Sequence, residues 1–171
     1  MTGVFFRSGR KDPFVYPVHP APRTAVLVPW FNESILTNRP VRVFAHGWSV
    51  DAAAFAPAAV AGTLEQLNAL ARDGIPSLTH SIIVLWQPEQ QRMTDAHREG
   101  LWWAFRVPLF EQVIGKSGKL LAAECEAHDG LHVASPALSL HGESVDESVC
   151  PCGRKTPRIG VTHRAIAAYA R

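Results

Sequence analysis

Apolar residues are arranged along this chain in short runs and periodic stretches that predict alternating strands and helices. Ser81–Trp86 is an almost continuous apolar run, which is typical of a strand buried on both faces of a parallel sheet. Thr94 is placed to cap a helix over Asp95–Ala104, and Val107–Val113 is predicted to be the next strand. Because strand, helix and strand follow in order, the pattern predicts a βαβ unit with a right-handed crossover and an α/β fold.

The first half of the chain is predicted to contain one helix and several short extended segments. One helix is predicted from Ser49 or Asp51 to Gly74, and its apolar stripe consists of residues at helical spacing, namely Val60, Leu64, Leu67 and Leu70. Short extended segments are predicted before it, at Phe14–Tyr16, Thr24–Trp30, Ile35–Leu36 and Val41–Phe44. The His46–Ser49 segment lacks a Gly-x-Ser-x-Gly elbow, so we interpret it as a turn with a partly buried Trp48 rather than a catalytic pair.

A hairpin is predicted after the βαβ unit. Lys119–Glu124 is a second apolar run, Gly130–Val133 is a further extended piece, and the Asp-Gly pair at residues 129–130 is a strong turn signal between them. The hairpin would add antiparallel strands, so we expect a small mixed sheet. Residues 135–149 are mostly polar and are predicted to form a loop, and Thr162–Tyr169 is predicted to be a short C-terminal helix.

Length and composition narrow the function classes. A chain of 171 residues with 47% hydrophobic residues predicts one domain over residues 1–171. We expect strands and a helix in 1–77, a core with a cysteine-rich clasp in 78–158, and a terminal helix in 159–171. The net charge of +2, without a basic tract, argues against nucleic acid. No segment resembles an export signal or a bilayer span, so we expect a cytoplasmic protein that does not bind membranes.

The cysteines and histidines of the predicted hairpin and loop suggest a metal site. In a reducing compartment, cysteine spacing indicates metal or redox chemistry before a disulfide. The hairpin turn would bring Cys125 and His132 together, and Cys150-Pro-Cys152-Gly is a tight turn that supplies two more sulfurs. Three sulfurs and one nitrogen fill a tetrahedral zinc shell, so the site would be structural. His128 and His141 remain alternative fourth ligands, and three reduced cysteines without metal remain the alternative to zinc.

The same residues carry a resemblance to a known family. Glu-Cys-Glu at 124–126, Gly-Leu-His at 130–132, Cys-x-Cys-Gly-Arg at 150–154 and Pro-Arg at 157–158 resemble the phenylacetate–CoA ligase branch of the adenylate-forming superfamily. The resemblance covers about residues 78–158 and implies a fold like a piece of the large domain of those enzymes. It also implies that one structural zinc is held by the four residues that we call the clasp: Cys125, His132, Cys150 and Cys152.

The chain departs from that family at the residues that carry catalysis. Nothing in residues 1–77 resembles the family's phosphate-binding loop. The family motif aromatic-Gly-x-Thr/Ser-Glu corresponds to Ile114–Gly118, in which Gly118 stands where the family has a metal-binding glutamate. The Thr-Gly-Asp ribose motif and the domain with the catalytic lysine are not among the 171 residues. We therefore predict no catalytic residues and expect no adenylation by this chain alone.

Three functions follow from these observations. The first is a zinc-stabilised, noncatalytic accessory or binding protein, whose partner is a protein or a small acyl or nucleotide ligand held in a cleft beside Glu111 and Gln112. The second is one part of an ATP-dependent acyl- or aryl-acid-activating enzyme that a partner chain completes. The third is a zinc protein that recruits partners through Trp102 or Trp103, since adjacent tryptophans cannot both face one side of a helix.

Overall fold

The computed structural model describes residues 22–29, 40–74, 78–90, 92–135 and 145–160. Three helices lie within these ranges: α1 at Val50–Ala54, α2 at Leu64–Asp73 and α3 at Asp95–Phe105. The same ranges contain the strands β1 Thr24–Val26, β2 Val41–Val43, β3 Ala59–Gly62, β4 Ser81–Trp86, β5 Leu109–Ile114, β6 Leu120–Glu124, β7 Leu131–Val133, β8 Val145–Asp146 and β9 Arg158–Ile159.

All of these strands belong to one mixed sheet in the order β2-β1-β3-β4-β5-β6-β7-β9-β8. The pairs from β2 to β5 are parallel, and every pair from β5 onward is antiparallel. β5 is therefore the strand at which the parallel half meets the antiparallel half. The predicted α/β class, the βαβ unit β4-α3-β5 and the small mixed sheet are confirmed.

Apolar side chains are buried on both faces of the parallel half. All six residues of β4 are buried, which explains why Ser81–Trp86 is apolar without alternation. Ile82 and Val84 pack with Leu67, Leu70, Leu101 and Phe105 of helices α2 and α3. Ile83 and Leu85 belong to a second cluster on the other face, with Val26, Val28, Phe110 and Ile114. The parallel half therefore has a core on each side of the sheet.

The two longer helices begin at well-formed caps. Thr63 and Thr94 each accept a hydrogen bond from the backbone N–H three residues later, and the side chain of that later residue bonds back to the cap. The helix predicted over Asp95–Ala104 is confirmed and ends one residue later than expected. Its C-terminal Arg106 adopts a left-handed conformation with φ 56°, which lets its N–H bond to the carbonyl of Trp102.

The single helix predicted up to Gly74 is wrong. The chain forms the short helix α1, then the buried strand β3, and only then α2. Pro57 has no N–H to give to a helix, and Ala56 before it has φ 46°, so the helix cannot continue. Val60 therefore lies in β3 between β1 and β4. The spacing between Val60 and Leu64 resembles that of an amphipathic helix because both residues pack into the same core cluster.

Other predictions differ in extent. Val145–Asp146 forms β8 within the stretch predicted to be a loop, and β9 was not predicted. Strands of two residues have no detectable periodicity, and only their pairing defines them. The predictions at Phe14–Tyr16, Ile35–Leu36 and Thr162–Tyr169 lie outside the described residues, and the single-domain assignment stays a prediction. No helix in the described part of the chain is long and apolar enough to cross a membrane.

The capping of α2 makes a testable prediction. Thr63→Ala removes a hydrogen bond to the N–H of Gln66 and should lower the free energy of unfolding by about 1 kcal/mol. Urea denaturation measures it. The exposed Thr79, which lies outside any helix, gives the matched control Thr79→Ala, with an expected change within about 0.5 kcal/mol. Equal losses in the two variants would show that the cap does not stabilise α2.

Candidate metal centre

The four clasp residues converge at the end of the antiparallel half of the sheet. Cys125 follows β6 directly, His132 is the central residue of β7, and Cys150 and Cys152 lie in the turn that precedes β9. One ligand atom from each residue lies within 4.8 Å of all the others. Cys125, His132 and Cys150 are buried, and Cys152 is half-buried. These four residues could hold a metal ion.

The distances within the clasp match a tetrahedral shell. Zinc bonds sulfur at about 2.3 Å and imidazole nitrogen at about 2.0 Å, so tetrahedral ligands would lie about 3.8 Å apart for two sulfurs and about 3.5 Å for sulfur and nitrogen. The Sγ atoms of Cys125 and Cys150 are 3.7 Å apart. Sγ of Cys152 lies 3.4 Å from Nε2 of His132. These two distances fit tetrahedral coordination of one ion, and the other pairs of ligand atoms lie within 4.8 Å.

A hydrogen bond orients the histidine of the clasp. Nδ1 of His132 lies 2.7 Å from Oγ1 of Thr156, which leaves Nε2 directed at Cys152. Burial lowers the pKa of His132, and the positive charge of Arg154 lowers it further. The imidazole is therefore neutral at physiological pH, which is the form that binds a metal. Sequence reasoning did not find Thr156, since nothing in its neighbourhood marks it as a partner of His132.

The thiols of the clasp are in unequal environments. Burial raises the pKa of Cys125 to about 12, against the opposing effect of the Ala127 N–H. Desolvation by itself would raise the pKa of Cys152 as well. The pKa of Cys152 is nevertheless lowered overall, by the N–H of Arg154, by the bonds to the other two thiols and by the charge of Arg154. A divalent cation would favour the thiolate at each sulfur, because it supplies positive charge where burial disfavours a lone anion.

Local turns place the sulfurs. The N–H of Gly153 donates to the carbonyl of Cys150 at 2.8 Å, and the N–H of Cys150 donates to the carbonyl of Arg154 at 3.1 Å. Gly153 has φ 83°, a conformation that glycine adopts without strain. On the other side, the N–H of His128 donates to the carbonyl of Cys125 at 3.0 Å and closes a turn over residues 126–127, just before the predicted turn at Asp129-Gly130, where the chain bends.

The structure separates His128 from the clasp. Its Nδ1 lies 2.9 Å from Oε1 of Glu124, and its ring stacks on Phe110 with centroids 4.9 Å apart. The side chain is 42% exposed, and none of its atoms belongs to the cluster of four. His141, the other alternative ligand, lies outside the described residues.

A buried arginine ties the strands around the clasp. Arg158 of β9 donates to the carboxylate and the carbonyl of Asp129, to Asp146 at 2.7 Å and to Ser148 at 3.0 Å. These bonds join the β6–β7 turn to β8 and β9. Desolvation opposes the charge of Arg158, but the bond to Asp129 and the negative charges around it raise its pKa overall. The resemblance included Arg158, but nothing in the sequence indicated which acids it contacts.

The residues of the predicted cleft lie in the middle of β5 and face opposite sides of the sheet, as neighbours in a strand do. Glu111 faces α3, where Nη2 of Arg98 bonds its Oε1 at 2.8 Å and Oε2 of Glu124 at 3.1 Å. Gln112 lies on the other face, 1% exposed. Arg98 was missed, although its spacing from the buried residues Leu101 and Phe105 places it on the inner side of α3.

Burial governs the electrostatics of this carboxylate pair. Desolvation raises the pKa of Glu111, and the nearby charge of Glu124 adds to the increase, whereas Arg98 and Arg92 act against it. Glu124 is further fixed by the N–H of Glu111, which donates to its Oε2 at 2.8 Å. Within the described residues, Oε2 of Glu111 has no hydrogen-bond partner. Glu111 is thus held inside the protein by one arginine that it shares with Glu124.

The segment that resembles the family's glutamate motif is the turn between β5 and β6. The N–H of Gly118 donates to the carbonyl of Gly115 at 2.8 Å, and the N–H of Gly115 donates to the carbonyl of Lys119 at the same distance. Gly118 has φ 76° and is buried. A residue with a side chain would be strained at this position, so the turn itself favours glycine over glutamate.

Comparison with known proteins identifies the fold. No family model matches the chain, and no curated protein matches it in sequence. Among 14 matching chains of solved structures is an open conformation of 2-hydroxyisobutyryl-CoA ligase in complex with 2-HIB-AMP and CoA. The match has a TM-score of 0.56 at 14% identity and covers 80% of this chain, which spans only 43% of that ligase. The protein therefore has a mixed α/β fold similar to part of that ligase.

The raised pKa of Glu111 predicts a pH dependence of stability. An acid whose pKa rises on folding opposes folding when it is ionised, and this penalty disappears as the pH falls through the folded-state pKa. Glu111→Gln cannot titrate, so wild type should gain stability relative to this variant as the pH falls from neutrality towards 4.5, the ordinary pKa of a glutamate. Urea denaturation at each pH measures the difference. Glu99→Gln, at an exposed position of α3, is the control. A pH-independent difference for Glu111→Gln would contradict the interpretation.

Proposed function

We propose that this chain is a zinc-stabilised, noncatalytic, ligase-like protein of the cytoplasm that binds a protein or a small acyl or nucleotide ligand. The observation that carries the proposal is the convergence of three sulfurs and one imidazole nitrogen within 4.8 Å on a ligase-like sheet. Thiolate and imidazole together favour zinc over the oxygen-seeking cations magnesium and calcium. Four protein ligands leave no open position, so the zinc would be structural.

The assignment to the phenylacetate–CoA ligase branch is also a proposal. The support for it is the order Cys125, His132, Cys150 and Cys152 in the sequence together with their convergence in space. The absence of catalysis is supported by Gly118, whose positive φ suits the turn and disfavours the glutamate that the family has there. We propose that the chain has the zinc-binding residues of the ligase branch but lacks the residues that catalyse adenylation.

Elemental analysis tests the metal directly. Purified protein should contain about one zinc per chain, and the double variant Cys150→Ser, Cys152→Ser should contain none. Because binding free energy of a structural metal is folding free energy, the double variant should melt about 10 °C lower or more. Metal-free wild-type protein that melts at the same temperature as the variant would end the proposal.

Two histidine variants decide which imidazole is the ligand. His132→Ala removes the nitrogen that lies 3.4 Å from Cys152 and should lose the zinc. His128→Ala removes a half-exposed ring outside the cluster and should keep about one zinc per chain. The reverse pattern would assign the fourth ligand to His128.

A second function is favoured by the structural comparison. The similar ligase is described with 2-HIB-AMP and CoA, and this chain spans 43% of its length. The chain would then be one part of an ATP-dependent acyl- or aryl-acid-activating enzyme, and a partner would supply the phosphate loop and the metal-binding glutamate. Trp102 and Trp103, which are 45% and 55% exposed on α3 with Arg106 stacked on both rings, would offer a contact for such a partner.

ATP–pyrophosphate exchange separates the two functions. With a panel of aryl and acyl acids, the purified chain should exchange no faster than a blank without protein, because no described group replaces the motif glutamate. A control with a complete acyl-CoA ligase shows that the assay responds. Acid-dependent exchange by this chain alone would overturn the noncatalytic proposal. Exchange that appears only with a co-purified partner would instead establish the second function.

A further inference from the structure

The clasp holds three sulfurs within 4.8 Å of one another, but solvent reaches them unequally. Sγ of Cys125 lies 3.7 Å from Sγ of Cys150, and Sγ of Cys152 lies within 4.8 Å of both. Cys125 is fully buried and Cys150 is 2% exposed, whereas Cys152 is half-buried at the surface of its turn. The cluster therefore presents one sulfur to a dissolved oxidant and keeps a second sulfur within reach of the first.

We propose that the clasp is a reversible oxidation site for hydroperoxides, in which Cys152 reacts first and then forms a disulfide with Cys125. The proposal deepens the metal centre proposed above and rests on it for the zinc that oxidation would release. The proposal is based on the distance of at most 4.8 Å between the half-buried sulfur of Cys152 and the buried sulfur of Cys125, which belongs to a different segment of the chain.

The reaction has two balanced steps. In the first, the sulfur of Cys152 attacks one oxygen of the peroxide; a sulfur–oxygen bond forms, the oxygen–oxygen bond breaks, and water or an alcohol leaves. In the second, the sulfur of Cys125 attacks the sulfur of Cys152; the disulfide forms and the hydroxyl leaves with the thiol proton as water. The two thiols together lose two electrons, and the peroxide gains them.

Cys125 is the partner that the backbone favours. Cys150 and Cys152 are separated only by Pro151, and a ring closed over one rigid residue strains disulfide geometry. Cys125 comes from the end of β6, so its disulfide would join the two segments that the metal joins. The clasp would then hold these segments together in both a reduced, metal-bound form and an oxidised, metal-free form.

Mass spectrometry of peroxide-treated protein tests the proposal. Protein as purified is exposed to one equivalent of hydrogen peroxide, quenched with N-ethylmaleimide and digested. We expect a Cys125–Cys152 disulfide, release of the bound zinc to a chromogenic chelator, and recovery of all three thiols after dithiothreitol. A Cys150–Cys152 disulfide, or sulfinic acid at Cys152 without any disulfide, would overturn the proposal.

Two single variants and a metal-free sample complete the test. Cys152→Ser should consume peroxide at least tenfold more slowly, whereas Cys150→Ser should still form the Cys125–Cys152 disulfide. Because each variant lacks one proposed metal ligand, chelator-stripped wild-type protein is treated in parallel and should give the same disulfide. If elemental analysis finds no zinc but the disulfide forms, the metal proposal fails and the oxidation site stands. Zinc-containing protein that forms no disulfide would contradict the oxidation proposal and leave the metal proposal standing.

Discussion

The antiparallel end of the sheet depends on bonds between side chains, because its backbone pairing is slight. β7, β8 and β9 contain three, two and two residues, and strands of that length are not stable by pairing alone. Arg158 joins the β6–β7 turn to β8 through its bonds to Asp129 and Asp146. A metal ion held by the four-residue clasp would in addition join the end of β6 to the turn before β9.

Two arginines, the buried Arg158 and the partly exposed Arg98, pair with the acidic side chains of this region. Arg98 joins α3 to Glu111 and Glu124, and Arg158 joins β9 to Asp129 and Asp146. Such groups are tolerated inside a protein only when they are paired, and loss of one partner leaves an uncompensated charge. Because Glu124 is next to Cys125, the end of β6 is bonded to α3 through Arg98, and a metal in the clasp would bind the same strand end. The clasp is thus adjacent in sequence to the ion pairs of the sheet.

Local patterns in the sequence predict the centre of this fold, and long-range pairing determines the remainder. Ser81–Trp86 and Asp95–Phe105 were predictable because burial on two faces and a threonine cap leave signals within a few residues. Val60 was misassigned because its spacing suits a helix, and only pairing with β1 and β4 makes β3 a strand. For the site, the residue types and spacing named the four residues that converge. Neither indicated Arg98, whose role depends on carboxylates in two distant strands.

X-ray absorption at the zinc edge of the purified protein tests whether the four clasp side chains form one closed metal shell. A closed shell predicts three sulfurs at about 2.3 Å and one nitrogen at about 2.0 Å, with no oxygen ligand. That result would match Cys125, Cys150, Cys152 and His132, and no other described residues place such a donor set within 4.8 Å. A shell with fewer sulfurs, or one that includes a water oxygen, would contradict the closed clasp and with it the structural role of the metal.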